Sequence, residues 1–181
     1  EPDLYGGKTS AVLVIQNGKI AAEHYKTGHD LHTAQRTWSV AKSLAGTLIG
    51  HSVQQQMVDV QAPVQIPQWQ VDGDPRADIT IDNLLRMSSG LTSDTAGNRT
   101  TSWPLLHKPG SRFRYANNDT LLAVHAARAQ HLERRNRLGN YLPEQHDFDP
   151  ESFFRKLGMT RTYAETDWQG NYILSSQVWA T

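Results

Sequence analysis

Apolar and polar positions along the chain fall into blocks that read as separate elements. From Ser10 to Gln16 the residues are apolar on both faces, with Ala11, Leu13 and Ile15 alternating against Val12 and Val14. Asn17-Gly18 follows, a pair suited to the two positive-φ positions of a type I′ turn, and a returning strand is predicted from about Lys19 to Tyr25. A strand apolar on both faces calls for cover on both, so helices are expected on each side of this sheet. Two strands alone are marginal, so further strands are expected from elsewhere in the protein.

Helical spacing takes over next. Ala41, Leu44, Ala45, Leu48, Ile49 and Val53 predict a helix from about Ser39 to Gln55. Residues 61–78 contain Pro63, Pro67, Gly73 and Pro75 and read as an irregular connection. Thr80 to Arg86 reads as a short helix capped by Thr80 or Asp82. Residues 88–109 are loop-rich. A second long helix is predicted from Asn118 to about Arg134, with Leu121, Leu122, Val124 and Ala127 on its apolar face. The region from Asp149 to Gly158 reads as a short amphipathic helix stopped by Gly158. There is no internal repeat and no low-complexity tract.

Composition narrows the classes. The 181 residues suit one domain, and 18 Lys+Arg balance 18 Asp+Glu, which argues against attachment to nucleic acid by bulk charge. Fifteen aromatic residues, five of them Trp, argue against global disorder. The absence of cysteine excludes disulfides, thiolate nucleophiles and zinc–thiolate sites. No apolar run approaches a membrane span. The chain begins at Glu1 and ends on the apolar run Val178-Trp179-Ala180-Thr181, so it is expected to be part of a longer protein.

Two motifs point to chemistry. Ser39 and Lys42 are three residues apart at a helix start, on one face and about one turn from each other. A serine hydroxyl becomes a nucleophile when a neighbouring base takes its proton, and a lysine shielded by apolar groups such as Val40, Ala41, Leu44 and Ala45 could serve. On the motif alone, an N-capping serine beside a surface lysine is the better explanation of the pair. The second motif is Tyr115-Ala116-Asn117 after the Pro109-Gly110 turn. In an extended segment Tyr115 and Asn117 would face one side, the tyrosine able to relay a proton and the asparagine able to bind a substrate amide. A buried tyrosine and a capping asparagine would be the structural alternative.

Ser39-Val40-Ala41-Lys42, then Ile79 to Leu91, then Tyr115-Ala116-Asn117, in this order, resemble the β-lactamase-related serine hydrolases. These include class C β-lactamases, D-alanyl-D-alanine carboxypeptidases, family VIII esterases and 6-aminohexanoate-dimer hydrolases. The resemblance runs from about Thr9 to Thr181, and Pro67-Gln68-Trp69 and the phrase Phe154 to Met159 fit it too. It implies an α/β (α+β) fold, an antiparallel sheet of the β-lactamase/transpeptidase type flanked by helices, with the sheet incomplete in this chain. Within a single catalytic-domain fragment, residues 1–54 would hold the hairpin and nucleophile helix, 55–145 a mostly helical lobe, and 146–181 the return toward the sheet.

The implied activity is ester or amide hydrolysis through an acyl-enzyme on Ser39. Lys42 and Tyr115 would share the role of general base, the Ser39 backbone N–H would be an oxyanion donor, and Asn117 would bind substrate and help hold Lys42. The family's third motif, K-T-G or H-x-G, has no match after Asn117; Lys26-Thr27-Gly28 precedes Ser39 and is read as the end of the hairpin. The simplest account is that the chain stops before that motif; the gap slightly favours the rival expectation, a non-catalytic binding or regulatory homologue, while the intact Ser39, Lys42 and Tyr115 count against it. No metal or organic cofactor is implied. The expected partner is a small-molecule ester, amide or β-lactam, without nucleic acid or a membrane span, and the oligomeric state stays open. A periplasmic or secreted location is favoured over a cytoplasmic one.

Weaker signals read as structural. Gly6 to Ser10 resembles the tail of a phosphate loop but precedes a strand, and His24, His29 and His32 lack a completing carboxylate and read as surface or cleft-rim residues. Asn98-Arg99-Thr100 and Asn118-Asp119-Thr120 match the glycosylation sequon.

Overall fold

The computed structural model describes residues 9–92, 100–138 and 148–181. Gly6 to Lys8 and Asn98-Arg99 of the motifs above lie outside the described residues. Ala11–Gln16 (β1) and Lys19–Tyr25 (β2) form an antiparallel hairpin. Asn17 and Gly18 take φ of 50° and 73°, the twist that lets two right-handed strands close without splaying. All six residues of β1 are exposed, and Val12, Leu13, Val14, Ile15 and Ile20 stand in solvent. Here the expectation of helices on both sides is corrected: among the described residues nothing buries this ribbon.

Gln35–Arg36 (β3) leads into a one-turn 3-10 segment, Trp38–Val40, and then helix α1, Ala41–Gln54. Ala41, Ala45, Leu48, Ile49 and Ser52 of α1 are buried, a stripe at 3.6-residue spacing, while Val40 and Val53 face outward. The connection that follows is irregular yet well packed. Trp69 is fully buried and its indole N–H donates to the Thr101 carbonyl at 2.7 Å. Arg76 grips Asp74 with paired hydrogen bonds and also donates to the carbonyls of Thr101 and Trp103, so the two loops are tied together. Burying an indole without a partner for its N–H would cost roughly 1–3 kcal/mol, which the Thr101 carbonyl removes.

Helix α2, Ile81–Leu85, opens with a capping box in which Thr80 and Asn83 satisfy each other's backbone N–H. Helix α3 spans Asn117–Leu138 and packs on both α1 and α2. Helix α4, Pro150–Lys156, is capped by Asp149, whose carboxylate accepts the N–H groups of Glu151 and Ser152. Tyr163–Ala164 (β4) and Val178–Ala180 (β5) complete a second sheet of order β3-β5-β4, antiparallel throughout. One core joins these helices and loops, with Leu48, Ile49, Ile81, Leu84, Leu122 and Phe154 at its centre. No helix among the described residues is long and apolar enough to cross a membrane.

Candidate active site

Ser39 sits in the 3-10 turn ahead of α1, and its side chain makes no cap. The turn is stitched to the strand that returns at the end of the chain: the Thr37 N–H donates to the Val178 carbonyl at 2.8 Å, and Arg36 Nε to the Ser176 carbonyl at 3.3 Å. Trp38, just before Ser39, has φ of 48°, a left-handed conformation that a tryptophan adopts only when its surroundings impose it. The Arg36 guanidinium stacks over its indole at 3.7 Å.

The Ser39 hydroxyl meets two groups. Lys42 Nζ lies 3.1 Å from Ser39 Oγ, and the Tyr115 hydroxyl donates to the same oxygen at 2.6 Å. Lys42 also donates to Asn117 Oδ1 and to the Ser175 carbonyl, both at 2.6 Å. Lys42 Nζ thus has three oxygens within hydrogen-bonding distance: Asn117 Oδ1, the Ser175 carbonyl and Ser39 Oγ. The expected apolar jacket around Lys42 is corrected by this arrangement: Ala41 and Ala45 are buried, Leu44 is half-buried and Val40 is exposed, and the lysine head lies among oxygens. Its Nζ is 4.9 Å from the Tyr115 ring centroid.

Tyr115 has a pKa lowered from the ordinary phenol value, first by its hydrogen bond with Ser39 and then by Lys42, with burial opposing. The loop carrying it is held by backbone. The Arg114 N–H donates to the Met87 carbonyl at 2.8 Å, the Gly110 N–H to the Ser88 carbonyl at 2.7 Å, and the Ala116 N–H reaches Met87 Sδ. Asn117 is the first residue of α3, so the expected extended geometry from Tyr115 through Asn117 is replaced by a loop-to-helix junction. Both side chains still reach the same centre, because the loop supplies the tyrosine and the helix start supplies the amide.

Thus all four side chains singled out from the sequence, Ser39, Lys42, Tyr115 and Asn117, lie in one hydrogen-bonded cluster. Ser39 is exposed and Tyr115 half exposed, so the cluster faces solvent. The Ser175 carbonyl is the member that sequence reasoning missed; a backbone acceptor 133 residues from its donor leaves no side-chain signature. Asn118, a sequon residue, is buried and pairs with the backbone of Thr100 through both ends of its amide, which leaves it inaccessible to modification. Of the early histidines, His32 meets Arg161, and among the described residues no three His, Asp or Glu side chains group as a metal site.

A family model for β-lactamase matches residues 5–167. Among curated proteins no match is found. Solved structures do align. A protein provisionally named as a 6-aminohexanoate-dimer hydrolase from Bacillus anthracis superposes with a TM-score of 0.65 at 20% identity, covering 96% of this chain and 51% of its own. A D-alanine carboxypeptidase from Burkholderia cenocepacia gives 0.66 at 21% identity, covering 91% and 53%. A class C β-lactamase in complex with cefoxitin gives 0.63 at 15% identity, covering 95% and 55%. The chain therefore spans about half the length of these structures, and at such identities they speak for the fold. With a family model matched over most of its length and a fold shared with these structures, the chain belongs to the β-lactamase family.

Proposed function

We propose that this chain carries the nucleophile of a serine hydrolase that cleaves an ester or amide bond of a small molecule through an acyl-enzyme on Ser39. The observation that carries the reading is the double hold on Ser39 Oγ by Tyr115 and Lys42. In the proposed reaction Ser39 Oγ attacks the substrate carbonyl carbon while its proton passes into the Lys42–Tyr115 pair. The tetrahedral oxyanion is met by the Ser39 backbone N–H, and its collapse returns the proton to the leaving group. Water repeats the sequence on the acyl-enzyme and releases Ser39.

Asn117 has two tasks in this scheme. Its carbonyl oxygen fixes the direction of Lys42, and its amide nitrogen, a donor, suits a substrate carbonyl. The substrate class is a small ester, amide or β-lactam, and the compartment proposed is periplasmic or extracellular. A fluorophosphonate probe tests the nucleophile: mass spectrometry should place the adduct on the peptide containing Ser39 and find none in Ser39→Ala. In the protein, Ser39→Ala should lower turnover of p-nitrophenyl acetate by at least about a thousandfold. Undiminished turnover in that variant would overturn the reading.

A further inference from the structure

A cavity of about 330 Å³ lies between α3 and the turn at residues 167–173, and its lining includes none of Ser39, Lys42, Tyr115 and Asn117. Its floor is apolar, made by Leu121 and Val124 of α3 and by Ile173. Leu121, Val124 and Arg128 stand four, seven and eleven residues beyond Asn117, so they continue the helix face on which Asn117 meets Lys42. At 1.5 Å per residue, the cavity begins about 6 Å along the axis from Asn117 and reaches Arg128 at about 16 Å. The opposite wall ends at Ile173, two residues before the Ser175 carbonyl that also accepts from Lys42.

The polar groups define what fits. Arg128 is half-buried, its guanidinium carbon 6.0 Å from the Tyr172 ring centroid, and among the described residues it forms no ion pair. Asp167 in the lining is spent on its own turn, where its carboxylate accepts the backbone N–H groups of Gln169 and Asn171 and the Asn171 side-chain amide. These bonds brace the cavity wall. Trp168, 91% exposed, stands at the mouth as an aromatic surface in water. A cation with no ion pair among the described residues, His125 beside it in the lining, an apolar floor and an exposed ring together suit an anion with an apolar body.

We infer that this cavity binds a small carboxylate with an aromatic or aliphatic body, its carboxylate on Arg128 and its body on Leu121, Val124 and Ile173 beneath Trp168. The inference does not depend on chemistry at Ser39. The test titrates the protein with 4-phenylbutyrate and follows tryptophan fluorescence. A saturable change in the millimolar range is expected, the scale set by so small a ligand, and it should vanish in Trp168→Phe. The neutral analogue 4-phenylbutyramide should bind at least about tenfold more weakly, a comparison that needs no variant. Arg128→Gln should weaken 4-phenylbutyrate by a similar factor, and Arg128→Lys should recover most of it. Failure to saturate, equal affinity for acid and amide, or a signal that persists in Trp168→Phe would overturn the site.

Discussion

Replacing Asp119 with Asn should stabilise the protein at neutral pH and leave it unchanged near pH 4. Asp119 lies in the first turn of α3, two residues after Asn117, and is 2% exposed. The Ser89 hydroxyl donates to its Oδ1 at 3.0 Å and also accepts the Leu91 N–H, which anchors the loop that in turn supports Tyr115. Burial is the largest influence on the carboxyl and raises its pKa from 3.8 to about 6, with the Ser89 hydroxyl and backbone N–H pulling the other way. The folded state therefore holds its proton to higher pH than the unfolded chain. Its contribution is fully present below about pH 4 and is lost as pH rises through about 6. At 1.36 kcal/mol per unit, a rise of roughly two units removes about 3 kcal/mol above pH 7. The positive end of the helix favours the ionised form and makes that figure an upper one. Asparagine keeps an oxygen for Ser89 and never ionises, so it escapes the loss. Urea unfolding of both proteins from pH 4 to 8 should show a stability difference that grows between about pH 4 and about pH 6, half of it reached near pH 5, and then levels off. A difference that is flat across this range, or that favours wild type at pH 8, would refute the reasoning.

Tyr115→Phe should slow p-nitrophenyl ester turnover by roughly a hundredfold while Lys42 remains, as measured by steady-state kinetics. A base works deprotonated, so turnover through Tyr115 should rise with pH over a range below that of an ordinary phenol, and this rising limb of the wild-type pH–rate profile should be missing in that variant. Gly90→Ala should destabilise by about 3 kcal/mol or more in denaturant titration. Gly90 has φ of +82°, and a Cβ there would lie 2.0 Å from the His107 carbonyl oxygen, a backbone atom that cannot step aside alone. Ile20→Lys should change stability by less than about 0.5 kcal/mol, because Ile20 is 62% exposed on the uncovered hairpin. A cost above about 2 kcal/mol by the same method would show that something buries this ribbon in solution.

Elements written in contiguous residues were legible without a structure. Asn17-Gly18 demanded a tight hairpin, Thr80 or Asp82 a capped helix start, the stretch from Asp149 to Gly158 a short helix, and the 41–49 apolar stripe a helix lying on a core. Each of these follows from local sterics, local hydrogen bonds or one periodicity, so nearby residues suffice. The pairing of Ser39 with Lys42 belongs to the same class, since three residues of helix bring them together. The cover expected for β1 was a different kind of inference. An apolar strand states that it needs neighbours and does not name them, and the described residues place none against it.

The centre of the site depended on contacts that no window of sequence contains. Tyr115 meets Ser39 across 76 residues and Asn117 meets Lys42 across 75, each through a loop-to-helix junction that local pattern read as extended. Strands of two and three residues, β3, β4 and β5, are too short to carry an alternation, and they exist because they pair with one another. Their pairing brings the Ser175 carbonyl to Lys42 and pins the turn that holds Trp38 left-handed. Amino-acid type declared which groups could do chemistry and which short segments would be helix or hairpin. Direction, the aim of one ammonium and one phenol at one hydroxyl, came from chain folding, because hydrogen-bond geometry is set by distant backbone that no residue's identity encodes.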